Sequence, residues 1–204
     1  MKKIILSLAL LLTVSMSAFA QTFLNNGIMY KILSEEDKTV EVNIGSSFNG
    51  SELIIPEKVT YSEKEYTVTG IGEMAFFNKK SVTSVSIPAT VKTIGNSAFQ
   101  DCGNLTSLTF EGESQLEQIS DNAFRYTVLT TIDIPAAVTS IGSFAFDENT
   151  ELKQVYMHRD DPSGYSFDAF CDCPNAVIYA PAASYENYKN QFSYNRECRF
   201  IQRN

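Results

Sequence analysis

The chain has 204 residues, 44% hydrophobic and 20% charged, with 16 basic side chains against 24 acidic ones and a formal net charge of −8. That is the composition of one ordinary globular domain, and its charge excludes nucleic-acid binding and basic-patch membrane binding, because no Lys/Arg cluster offsets it locally. A single histidine, no tryptophan and four cysteines leave little material for a metal centre or an imidazole acid/base pair, and neither a cofactor nor a metal is expected.

The first twenty residues read as a secretory signal. Lys2 and Lys3 precede the apolar run Ile4 to Val14, and Ala18-Phe19-Ala20 supplies a small-residue cleavage pattern before Gln21. The apolar run is shorter than the roughly 18 to 20 residues that a spanning helix needs, and no later segment approaches that length, so no membrane span is expected. Cleavage removes two lysines and no acids, leaving 14 basic against 24 acidic residues and a net charge of −10. An exported chain in the periplasm, at the cell surface or outside the cell is the expectation.

Residues 21–65 read as an N-terminal β-hairpin cap. Ile28-Met-Tyr30-Lys-Ile32 and Val40-Glu-Val42-Asn-Ile44 alternate apolar and polar residues and are joined through Ser34-Glu-Glu-Asp37. From residue 66 a repeat takes over. An Ala-Phe pair returns at Ala75-Phe76, Ala98-Phe99, Ala123-Phe124, Ala145-Phe146 and Ala169-Phe170, at intervals of 23, 25, 22 and 24 residues. Four residues before each of the first four alanines stands an isoleucine followed by a small residue: Ile71-Gly72, Ile94-Gly95, Ile119-Ser120, Ile141-Gly142. After each of the first four phenylalanines comes a hexad of the form apolar-x-x-apolar-x-apolar, as in Leu129-Thr-Thr-Ile132-Asp-Ile134.

The last two apolar positions of each hexad alternate with Ser, Thr, Asp, Gln or Tyr, the period of a half-buried strand, so each unit contributes one short strand. Pro88 and Pro135 mark where pairing stops. The glycine after the isoleucine serves an unusual backbone angle or a close approach, with Ser120 the exception, and Asn96-Ser-Ala-Phe and Ser143-Phe-Ala-Phe read as a tight helical or 3₁₀ turn that tips the ring inward. Phe76, Phe99, Phe124, Phe146 and Phe170 are then expected to stack as an internal spine. A period of roughly 20 to 29 residues with one strand per unit defines a leucine-rich-repeat solenoid, a right-handed superhelix of α/β type made mostly of short parallel strands and turns. The repeats occupy 66–157, and 158–204 hold a last partial repeat and a C-terminal helical cap, with Ser184 as N-cap of a helix from Tyr185 to about Phe192 and a final strand or packed tail over Cys198 to Ile201.

These motifs resemble the BspA-like subclass of leucine-rich repeats, whose hallmark is a strand ending in Ile-Pro and then Val-Thr-x-Ile-Gly-x-x-Ala-Phe. Here it reads Ile134-Pro135-Ala-Ala-Val138-Thr-Ser-Ile141-Gly142-Ser-Phe-Ala145-Phe146 and Ile87-Pro88-Ala-Thr-Val91-Lys-Thr-Ile94-Gly95-Asn-Ser-Ala98-Phe99. Departures are Ser120 for Gly, Phe110-Glu111 for Ile-Pro, and the acidic insertion Glu111-Gly-Glu-Ser-Gln115. The resemblance implies a secreted or surface protein that works by binding, with adhesion to host matrix or cell-surface proteins among the implied roles. A glycan-binding or nutrient-acquisition accessory of the envelope is the alternative, and a purely structural module the third reading.

Four groups of residues are candidates for chemistry. Cys102 and Cys173 share a repeat phase three units apart, about 14 Å at ~4.8 Å per strand and beyond the ~7 Å Cα limit of a disulfide. Cys171 and Cys173 are too close along the chain for an unstrained bond, so the preferred pair is Cys171 with Cys198, the alternatives being Cys173 with Cys198 or no bond. Cys102 reads as a buried small hydrophobe. His158 lacks any hydrolytic or metalloprotease motif around it, so no catalytic residue is assigned. Asp160, Asp161, Asp168 and Asp172 match no calcium loop and read as solvated. The outward face of the strands remains: Ser84, Ser86, Ser107, Thr109, Thr131, Asp133, Gln154, Tyr156 and His158, with any ligand expected near 131–158 and the protein expected as a monomer.

Overall fold

The structure is a computed structural model that describes residues 21–193 and 198–203. The signal segment, residues 1–20, lies outside the described residues. In chain order the strands are β1 (Thr22–Asn25), β2 (Ile28–Ser34), β3 (Thr39–Asn43), β4 (Glu52–Ile54), β5 (Lys58–Tyr61), β6 (Lys64–Ile71), β7 (Ser84–Ile87), β8 (Thr93–Ile94), β9 (Ser107–Phe110), β10 (Gln118–Ile119), β11 (Thr131–Ile134), β12 (Ser140–Ile141), β13 (Gln154–Met157) and β14 (Val177–Pro181). A 3₁₀ turn (Ala182–Ser184), helix α1 (Tyr185–Gln191) and strand β15 (Arg199–Arg203) complete the fold.

The repeat builds a leucine-rich-repeat solenoid with three hydrogen-bonded walls. The first wall is the ladder of outward-facing strands, β4-β7-β9 followed by β11-β13-β14-β15, all in parallel. The second is the isoleucine column, in which Ile71, Ile94, Ile119 and Ile141 pair in parallel and a bridge extends the column to Tyr165. The third runs through the Ala-Phe turns, where the N–H of Phe76, Phe99, Phe124 and Phe146 donates to the carbonyl of Ala98, Ala123, Ala145 and Ala169 in the next unit, each at 2.8 Å. Between the walls the five repeat phenylalanines are fully buried and stack with centroids 5.3, 5.2, 5.3 and 5.1 Å apart and interplanar angles of 12° or less. No single unit could bury its ring alone; each relies on its neighbours for both ring faces.

The turn before each ring differs from the helical one read from the sequence. It is a run of β-turns, with bonds such as Ala75 N–H to the Gly72 carbonyl and Phe77 N–H to the Met74 carbonyl. Residues two before and two after the ring take left-handed backbone, as at Ser97 (φ 53°) and Asp101 (φ 61°) around Phe99, and a left-handed residue every few positions ends any helix. The glycine after the isoleucine serves close approach: a Cβ on Gly95 would lie 2.7 Å from the Gly72 carbonyl carbon.

At the N-terminus β1, β2 and β3 form an antiparallel meander containing the expected hairpin, with Tyr30 opposite Val42. β3 then joins β6 in parallel, and β5 and β6 make a second hairpin. The segment 21–65 also holds β4, which opens the parallel ladder against β7. At the C-terminus the cap contains one helix, and β14 and β15 extend the ladder by two rungs. Ser184 occupies the N-cap position without a side-chain capping bond, and its hydroxyl instead donates weakly to the Pro181 carbonyl at 3.5 Å. The 3₁₀ turn that runs directly into α1 takes the place of the expected cap.

Candidate functional site

Eight of the nine residues expected on the outward face lie in the ladder strands, and His158 directly follows β13. Ser84 pairs with Ser107 and Ser86 with Thr109, whereas Thr131 pairs with Gln154 and Asp133 with Tyr156. They do not form one continuous surface, because β9 and β11 share no ladder pairing. The acidic insertion Glu111–Gln115 leaves the first sheet there: Glu111 N–H still bonds to the Ile87 carbonyl, and a backbone bond from Val128 N–H to the Leu105 carbonyl links the two sides of the seam. A cleft of about 580 Å³ opens at the seam, lined by Thr109, Phe110, Glu113, Asp133 and His158 among others.

Beyond the seam the face changes character. Tyr156 stacks on Tyr179 of the next strand, centroids 4.8 Å apart and planes at 20°. The Arg203 guanidinium carbon lies 5.8 Å from the Tyr156 ring centre, and its Nη1 donates to the Met157 carbonyl at 3.3 Å. His158 Nε2 meets the Asp133 carboxylate at 2.5 Å, with Arg203 Nη1 3.4 Å from the same imidazole. Lys153, Asn175, Val177, Tyr179 and Arg199 line a second cleft of about 740 Å³ with Thr130, Thr131 and Gln154. Tyr179, Arg199 and Arg203 were not among the residues expected from the sequence. Continuing the strand alternation into Val177–Pro181 finds Tyr179; nothing in the sequence sets the register of the two arginines, because the helical cap interrupts the count.

A different surface carries the exposed rings. Tyr126, Phe144 and Phe167 are 38–51% exposed on the Ala-Phe turns. Arg125 lies between the first two, 4.7 Å from the Tyr126 centroid and 5.4 Å from that of Phe144. It holds the buried Asp147 through a 2.8 Å ion pair, and burial keeps that carboxyl above its ordinary pKa despite the guanidinium. Phe144 and Phe167 share a pocket of about 760 Å³ with Asn190 and Gln191.

Three of the four cysteines, Cys102, Cys173 and Cys198, are buried. Cys102 and Cys173 each donate an S–H to the carbonyl of the repeat Phe one unit earlier, Phe76 and Phe146, at 3.1 Å. Among the described residues no disulfide is formed. The Cys171–Cys198 bond expected from the sequence is therefore not part of this structure, and Cys198 Sγ lies instead 3.7 Å from the Phe170 carbonyl oxygen in the same carbonyl-capping arrangement. No group of three or more His, Cys, Asp or Glu among the described residues is arranged to hold a metal. Asp161 and Asp168 are each taken up locally, by Ser163 and Ser166.

A solenoid of this build, with an outward ladder and no assembled reactive constellation among the described residues, is a repeat scaffold. The chain belongs to the BspA-type leucine-rich repeat family: residues 69–199 match the description "BspA type Leucine rich repeat region" in six copies. Among solved structures it is similar to a leucine-rich repeat protein from Bacteroides capillosus, at 31% identity over 67% of this chain and 98% of that one, TM-score 0.59. It is also similar to the pneumococcal vaccine antigen PcpA (25% identity, 80% of this chain, 45% of that one, TM-score 0.59) and to a leucine-rich repeat protein from Bacteroides ovatus (28%, 77% and 46%, TM-score 0.55). The chain spans less than half the length of the latter two. No curated protein matches it. No helix among the described residues is long and apolar enough to cross a membrane.

Proposed function

We propose that this is an exported binding scaffold whose partner is a protein, engaged through the outward face of β11, β13, β14 and β15. The observation that carries the reading is the stacked Tyr156–Tyr179 pair with Arg203 against it. Tyr and Arg supply contact area at low entropic cost and dominate the energetic centres of protein interfaces. One face of each ring is taken by the other, Ile201 stands in register beside Tyr179, and Arg203 lies against Tyr156. What the pair offers a partner is edges and hydroxyls, which suits a polypeptide better than the flat face of a sugar ring. Attachment to host matrix or cell-surface proteins is the role this chemistry fits, with export driven by the leader at residues 1–20.

A second reading, a glycan ligand, is favoured by one observation: the exposed aromatic residues Tyr126, Phe144 and Phe167 lie on the turn surface, and the last two share a pocket with two side-chain amides. The two readings separate in a binding screen of the purified chain against immobilised matrix proteins and arrayed glycans, with Tyr156→Ala, Asp133→Ala and Phe144→Ala as variants. The protein reading predicts a protein ligand lost on Tyr156→Ala and kept on Phe144→Ala; the converse pattern with a glycan ligand would replace it.

A further inference from the structure

The outward face runs from acidic to basic along the solenoid. Glu52, Glu111, Glu113 and Asp133 belong to its first two-thirds, whereas Lys153, Arg199 and Arg203 stand at the C-terminal end of a chain whose net charge is −8. Three of these charges already have partners. Asp133 is held by His158, Glu111 accepts from the Ser86 hydroxyl, and Arg203 is spent on the Met157 carbonyl and the imidazole. Lys153 and Arg199 differ: both are exposed, both line the cleft floored by Val177, and among the described residues neither forms an ion pair. Among the described residues no acidic side chain lines that cleft.

We infer that this cleft seats an acidic stretch of a partner polypeptide, with Lys153 and Arg199 each taking one carboxylate. The inference rests on the protein-binding reading above and adds the charge of the partner. Arg199 is in register with Val177 and Val177 with Gln154, the residue after Lys153. The two cations are therefore about two rungs apart, near 10 Å at ~4.8 Å per rung, which matches carboxylates two or three residues apart on an extended chain rising ~3.3 Å per residue. Arg199 offers the planar fork that binds a carboxylate bidentately, and Lys153 a point charge. Thr130, Asn175 and the Tyr179 edge supply neutral hydrogen bonds around them. Long polyanions are disfavoured, because everything outside this cleft is net acidic and repels a chain of charge longer than the cleft.

The test is a random peptide library displayed on phage, panned on the purified chain at low salt, with selected peptides titrated against wild type, the double variant Lys153→Gln/Arg199→Gln, and Tyr156→Ala. A panel of sialylated and uronic-acid oligosaccharides is titrated in parallel. The expected result is enrichment of peptides bearing two or more Asp/Glu, with affinity falling about tenfold or more on the double variant and falling again as salt rises. No enrichment, enriched peptides without an excess of acids, equal binding by the double variant, or oligosaccharide binding that the double variant abolishes would each overturn the inference. Peptides that lose affinity on the double variant but not on Tyr156→Ala would keep the acidic cleft and remove the tyrosine-centred reading. The opposite pattern would do the reverse.

Discussion

Tyr156 lies against Tyr179 one strand away, ring centroids 4.8 Å apart, in a position where both rings remain half-buried. Such a pair adds ~0.5–1.5 kcal/mol to the fold beyond the area it buries. Tyr156→Ala is therefore expected to lower stability by about 1 to 2 kcal/mol, while reducing affinity for a protein ligand by ~2 kcal/mol or more if the pair is the interface centre. Thermal unfolding and a ligand titration on the same variant check the two effects separately.

The phenylalanine column predicts a positional contrast. Phe124 has a ring on either face and is wholly buried, so Phe124→Ala is expected to cost ~3–5 kcal/mol. Phe167→Ala, at a position 51% exposed, should cost far less. Urea unfolding of the two variants settles the comparison, and equal losses would mean that the rings do not form the core.

Asn149 is buried and donates from Nδ2 to the carbonyls of Phe124 and Phe146 at 2.8 and 2.9 Å, while its carbonyl oxygen accepts from the Thr127 hydroxyl. It occupies the repeat phase in which Cys102 and Cys173 make only weak S–H bonds to carbonyls. Asn149→Ala strands several buried polar atoms, each costing ~1–3 kcal/mol, so it should destabilise more than Cys102→Ala. Denaturant midpoints of the two variants give the order directly.

Burial raises the Cys102 thiol from 9.0 to about 11 and drives Cys173 up as well. Because these folded-state values lie above the unfolded ones, the associated stability is complete below about pH 9 and is lost as pH rises toward 11. Iodoacetamide at pH 8 should leave both residues unlabelled in the native protein and modify both after denaturation, as read by peptide mass spectrometry. Rapid native labelling of Cys102 would contradict its placement beneath the Phe76 carbonyl.

Much of this fold is legible in the sequence because each unit repeats the same request. The Ala-Phe pair, the isoleucine four residues earlier and the alternating hexad recur in phase, and stacking is the arrangement that buries all three. The same logic reaches β4, since Leu53-Ile-Ile55-Pro56 carries the strand-ending Ile-Pro of Ile87-Pro88 and Ile134-Pro135, although its neighbourhood reads equally well as part of a cap. The left-handed turns are less legible, because bulky Tyr126 and Phe144 stand where Asn and Asp would announce a positive φ. On the candidate site, Asp133, Tyr156 and His158 follow from alternation alone. Arg199 and Arg203 do not, since their place beside Val177 and Pro181 is fixed by how the cap returns the chain to the ladder.

The central claim is that partner contact falls on the outward strands of the C-terminal half. Hydrogen exchange of the chain with and without a saturating protein ligand measures it most directly. The account predicts new protection confined to peptides covering 131–134, 153–158, 177–181 and 199–203, with the turns at 122–126, 143–148 and 167–172 unchanged. Protection on those turns, with the strand peptides unaffected, would contradict it.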